Sequence, residues 1–162
     1  GGSYTVSASV SDVAGNPASA THGISVDTTV PTIAITSPIA SDNTINKTEA
    51  AAGLTISGTA SDGGSGVNGQ VATITIVDAS NNVKDTYTST VSSGAWSVNV
   101  SATDAQALAD GSYTVKANVA DAAGNAATTA TQAITVDKTA PTISSEAITS
   151  ATGIQNNYLN AG

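Results

Sequence analysis

The side chains able to do chemistry in this sequence are nearly all aspartates, and most stand in turn-like stretches. Asp27 sits in VDTTVP, Asp62 in SDGGSG, and Asp121 with Asn125 in DAAGN. Asp104 opens DAQALA, Asp110 precedes GSYTV, and Asp137 begins DKTAP. Asp42 and Glu49 lie in DNTINKTEA. Short loops of Asp, Asn and Gly offer oxygen ligands. Calcium takes six to eight of these from carboxylates, carbonyls and water. Magnesium is less suited to a flexible site built from two domains. The same residues also favour turns for another reason, because Asp and Asn bond their own backbone. A structural Ca2+ and plain turn chemistry both follow from each loop taken alone. The 42–49 stretch does not fit an EF-hand loop.

Catalysis finds little support. His22 is the only histidine and lies outside 31–137, so no Ser-His-Asp relay can be placed there. Pairs of carboxylates could be drawn as a glycosidase dyad. With aromatics at 3%, however, no aromatic-lined cleft is implied. SDGGSG lacks the lysine and the strand-to-helix setting of a phosphate loop. The chain reads as non-catalytic. A net charge of −8, from twelve acids against four lysines, repels nucleic acid and disfavours an anionic membrane surface. There is no cysteine, hence no disulfide and no thiolate metal site. An extracellular protein can dispense with both if its repeats are large enough to fold unaided. No signal peptide or membrane span is visible, and no direct membrane insertion is expected.

The elements that must position these acids are repeated. Residues 2–16 and 111–125 are identical at eleven of fifteen positions, and Pro31 and Pro141 stand 110 apart. A period of that size is one whole domain. The chain then divides into the end of one repeat (1–27), a linker (28–30), a complete repeat (31–137), a second linker (138–140) and the start of a further repeat (141–162). Pro31 makes the first crossing stiffer than a Gly/Ser linker.

Alternation of apolar and polar residues gives seven strands in the complete repeat. They cover 32–36, 54–60, 70–78, 84–91, 95–101, 112–120 and 128–137. The fourth is the most polar, as at a sheet edge. Within 41–53, NKTEAAAG is a short helix-favouring run, and DAQALA fills 104–109; both read as single helical turns. In the partial repeat, 2–10 reads as a half-buried strand with Tyr4, Val6, Ala8 and Val10 on one face. A partner at 22–27 turns Ile24 and Val26 inward. Seven short strands in about 107 residues match an all-β, immunoglobulin-like Greek-key sandwich in tandem, one domain complete and two partial. Tyr113 stands where a tyrosine corner would sit. Trp96 is the only tryptophan and there is no phenylalanine, so Trp96 reads as the core anchor.

Strand direction sorts the acids. The second-to-third and sixth-to-seventh connections lie at the pole where the domain begins. Asp62, Asp121 and Asn125 meet there, and the linker adds Asp27. The opposite pole holds Asp42, Glu49, Asp104 and Asp110, joined by the outgoing Asp137. Carboxylates ~5 Å apart repel by roughly 1 kcal/mol in water, a cost a cation removes.

Five segments together resemble the bacterial Ig-like repeats of large Gram-negative surface adhesins of the biofilm-associated and RTX types. They are DGSYTV (110–115), ADAAGN (120–125), VDKTAPTI (136–143), GAWSVNV (94–100) and DNTINKTEA (42–50). Residues 144–162 depart from the repeat pattern. The resemblance implies a secreted, cell-surface spacer that carries a distal binding domain toward a host or bacterial surface. Its partners would be neighbouring repeats, with calcium near the joints. The rival reading is a binding module whose loops or Thr-rich strand faces hold a sugar, ice or another adhesin. An accessory domain of a secreted hydrolase or a phage fibre is a third.

Overall fold

A computed structural model describes residues 1–144 apart from Ser65. Beyond them it describes only the backbone pairing of Ile154–Gln155 with Tyr158–Leu159. The sequence break at 144–162 therefore lies largely outside the described residues.

Gly2–Ser11 (β1) and Pro17–Val26 (β2) form an antiparallel ribbon. A sandwich follows, built from Thr32–Ile35 (β3), Thr44–Ile45 (β4), Leu54–Ser61 (β5), Val71–Asp78 (β6), Val83–Thr90 (β7), Ala95–Val100 (β8), Gly111–Asn118 (β9) and Ala130–Val136 (β10). One sheet has the order β3-β5-β8 and the other β4-β10-β9-β6-β7. β7, the polar strand, is the edge of its sheet.

Period-two patterning explains the core. Leu54, Ile56 and Ala60 of β5 face Ala72, Ile74 and Ile76 of β6, Val115 and Ala117 of β9, and Ile134 and Val136 of β10 across a single buried layer. A one-residue slip of any strand would turn this set to solvent, so the register is fixed by burial. Trp96 of β8 is 2% exposed, and its Nε1 donates to Thr59 O at 3.3 Å. Tyr113 donates from Oη to Ala109 O at 2.9 Å, closing the corner that leads into β9.

The NKTEAAAG run is helical as expected, over Lys47–Ala52 (α1). Asn46 caps it by accepting from Thr48 N and Glu49 N, and Glu49 accepts from Asn46 N at 3.0 Å. That reciprocal pair fixes where the helix starts. Just upstream, β4 pairs in parallel with β10, a strand the composition did not reveal. Ala102–Ala107 (α2) begins two residues ahead of DAQALA because Ser101 Oγ accepts from Asp104 N at 3.1 Å.

The ribbon departs from the reading of a half-buried strand. Tyr4, Val6 and Val10 are 58%, 55% and 69% exposed, and Ile24 and Val26 are exposed as well. The aligned Tyr113, Val115 and Val119 are buried. The two stretches carry nearly the same sequence. The difference is the opposing sheet, which a two-strand ribbon lacks.

Candidate metal centre

Asp62 follows β5, and Asp121 lies between β9 and β10. Both loops stand at the pole where the chain enters the sandwich, and Ala122 N ties them together by donating to Gly66 O at 3.2 Å. Asp27 ends the ribbon and arrives at the same place. One carboxylate oxygen from each of Asp27, Asp62 and Asp121 lies within 4.8 Å of the others. Among the described residues this is the one group of three or more potential metal ligands. Asp121 is buried, and Asp27 and Asp62 are half-buried.

Each carboxylate is held by its own loop. Asp62 Oδ2 accepts from Gly64 N at 2.9 Å and Gly66 N at 3.0 Å. Its Oδ1 is buried without a hydrogen-bond partner. Asp27 Oδ1 accepts from Thr29 N at 2.9 Å. Asp121 accepts from Asn125 twice, at Oδ1 from the backbone N and at Oδ2 from Nδ2, both at 2.8 Å. Asn125 Nδ2 also donates to Asp27 O at 3.2 Å, linking the sandwich to the end of the ribbon. Asn125 thus positions the acids and turns its amide nitrogen toward them. Gly64 leaves room for Asp27, since a Cβ there would stand 2.3 to 2.5 Å from the Asp27 carboxylate.

The DAAGN loop is self-contained. In the ribbon, Asp12 accepts from Asn16 N at 2.8 Å and Asn16 Nδ2 at 2.7 Å, the same pair of bonds. A third copy, DASNN, had no obvious sequence signal beyond its Asp and Asn spacing. Asp78 accepts there from Asn82 N at 2.9 Å and Nδ2 at 3.1 Å, with Asn81 at φ 62° where the other loops have glycine. An Asp/Asn pair four apart is therefore turn chemistry in all three. What distinguishes Asp121 is the convergence of Asp27 and Asp62 upon it.

The opposite pole is arranged differently. Asp104 accepts from Tyr87 Oη at 3.2 Å, Asp42 from Thr44 N at 2.8 Å, and Asp137 from Thr139 N at 3.2 Å. Asp110 accepts from Lys138 N at 3.0 Å and Thr139 Oγ1 at 2.6 Å. Among the described residues, Asp104, Asp110 and Asp137 do not converge with other acids as the leading-pole group does.

Burial pushes the Asp121 carboxyl upward. The bonds from Asn125, and from the amides of the same turn, outweigh it and hold the group below its usual 3.8. A depressed folded value means that the charged form stabilises the fold above the unfolded value, and that this contribution is lost as pH falls through the folded one. In chelator, the melting temperature is expected to fall below about pH 4. Asp121→Asn should flatten that acid limb, and an unchanged limb would mean the loop does not hold the charge.

A family model for the bacterial Ig-like domain matches residues 34–138. A search of curated proteins finds no match. Among solved structures, a tetra-tandem repeat from the extending region of a large adhesion protein is 28% identical with a TM-score of 0.55, over 84% of this chain and 32% of that one. A Ca2+-stabilised adhesin that helps an Antarctic bacterium reach out and bind ice is 31% identical with a TM-score of 0.48, over 86% and 32%. A 1.5-MDa bacterial ice-binding adhesin is 31% identical with a TM-score of 0.43, over 85% and 42%. The chain therefore spans about a third of the first two structures it resembles.

Proposed function

Because this chain belongs to the bacterial Ig-like domain family, we propose that it is a non-catalytic extending segment of a secreted, cell-surface adhesin, with calcium locking its joints. One observation carries the reading. Asp27 leaves one repeat, Asp62 and Asp121 belong to the next, and their oxygens gather within 4.8 Å. Two oxygens on opposite sides of a calcium ion bound at ~2.4 Å stand about 4.8 Å apart, so the spacing fits. The orphaned Asp62 Oδ1 is the atom such an ion would satisfy.

Asp27, Asp62 and Asp121 would hold the ion, which would supply positive charge to three converging carboxylates. The protein's part is to aim them. Gly64 and Gly66 amides orient Asp62, and Asn125 orients Asp121 while holding the Asp27 carbonyl. Neutralising the cluster ties the outgoing linker of one repeat to two loops of the next, and a stiff joint converts stacked sandwiches into reach. The likeness to an extending-region repeat supports the spacer role. Trp96 is committed to the core and is not available to stack on a ligand. Neighbouring repeats are the direct partners, and contact with a host or bacterial surface falls to distal domains.

Calcium titration of this chain by calorimetry tests the site. Wild type should bind, and at a hundredfold excess over Kd the folded state gains about 2.7 kcal/mol. Gly64→Ala puts a methyl group where the Asp27 carboxylate lies. It should weaken calcium binding at least tenfold, with little change in the chelated melting temperature. Asp104→Asn should leave calcium binding unchanged. Equal affinity in wild type and Gly64→Ala would remove Asp27 from the site.

A further inference from the structure

At the trailing pole the carboxylates of Asp110 and Asp137 accept hydrogen bonds from the outgoing linker. Asp110 precedes β9, and its carboxylate takes both the Lys138 amide at 3.0 Å and the Thr139 hydroxyl at 2.6 Å. Lys138 then turns back. Its Nζ donates to Gln106 O at 2.7 Å and also to Leu108 O, the carbonyls at the C-terminal end of α2. A cation on those carbonyls satisfies groups the helix leaves unpaired. Asp137 adds a bond from Thr139 N. The first two linker residues are thus fastened to the repeat they leave, at both backbone and side chains.

We propose that Asp110, Lys138 and Thr139 form a metal-independent strap that fixes the direction in which the chain leaves the repeat. The two halves of a joint then work separately. The strap sets the exit from one repeat without any ion, and the carboxylate cluster docks the linker onto the next. The strap is specific to this joint. At the aligned positions of the upstream repeat, Gly1 replaces Asp110 and Thr28 replaces Lys138, while Thr29 matches Thr139. An array written this way holds joints that differ in how far they loosen when calcium is withdrawn. The strap itself does not rest on the calcium reading, because every bond in it lies within the protein, whereas the difference between joints on calcium withdrawal does.

Amide hydrogen exchange on the whole chain in chelator tests it, since no cation can then contribute. The Lys138 amide should exchange roughly tenfold or more slower than an unstructured peptide, as expected for an N–H held by a carboxylate. Asp110→Ala should restore fast exchange at Lys138 while Ile134 and Val136 stay protected. Lys138→Met and Thr139→Val each delete one part of the strap on an exposed segment. They should raise exchange at 138–139 even if Asp110→Ala fails to fold. Fast exchange at Lys138 in chelated wild type, or no change in all three variants, would overturn the strap. Calcium binding at the leading pole would be untouched by either result.

Discussion

Trp96→Ala is expected to destabilise the sandwich by about 3–5 kcal/mol, the usual cost of truncating a large buried aromatic. The reason lies in the composition. The core has one tryptophan and no phenylalanine, and is otherwise built from Val, Ile, Leu, Ala and Tyr. No neighbour is large enough to collapse into the vacated space. The indole also leaves Thr59 O without its donor. Urea denaturation followed by far-UV circular dichroism reads this directly. A loss below ~1 kcal/mol would place the ring outside the core and contradict the strand phases.

Gly58→Ala is expected to cost about 3 kcal/mol, at the upper end of overpacking penalties. Gly58 continues the inward series of β5, where Leu54, Ile56 and Ala60 are buried. It pairs with Trp96 on one side and Ile35 on the other. A Cβ built there would stand 1.9 Å from Ala34 O and 2.3 Å from Trp96 Cζ2. The first clash is with backbone and cannot be relieved by a rotamer change. The tryptophan fills the volume that an ordinary residue at 58 would take. Trp96→Ala and Gly58→Ala should therefore not add, and their double mutant should recover part of the loss. Wild-type stability in Gly58→Ala would show that β3 and β5 can separate without cost. Gly64 makes the contrast, because its missing Cβ faces only the end of a side chain, so alanine there alters the site and spares the fold.

Much of this architecture was legible because period two is a strong signal. Ile56, Ile74, Ile76, Val98, Val100, Val115 and Val136 all face inward as the alternation requires. Tyr113 was readable from its place after a D-G-S corner. Gly58 was readable in principle, as a glycine at an inward strand position, but its meaning depended on finding Trp96 opposite it. The fate of the acids was only half legible. Strand direction brings Asp27, Asp62 and Asp121 to one pole. It also brings Asp104, Asp110 and Asp137 together in outline. It cannot show that Asp110 and Asp137 hold the linker, or that Tyr87 engages Asp104. Those outcomes depend on where individual side chains end, and alternation carries no such information. The exposure of Tyr4 and Val6 has the same root, since sequence pattern marks a face to be covered without supplying the cover.

Small-angle scattering from two complete tandem repeats, first in calcium and then in chelator, tests the central claim most directly. The account predicts a longer and narrower distance distribution in calcium, with a raised melting temperature, and loss of both on chelation. Identical distributions and melting temperatures in the two conditions would contradict it, and would reduce the Asp27–Asp62–Asp121 cluster to turn chemistry.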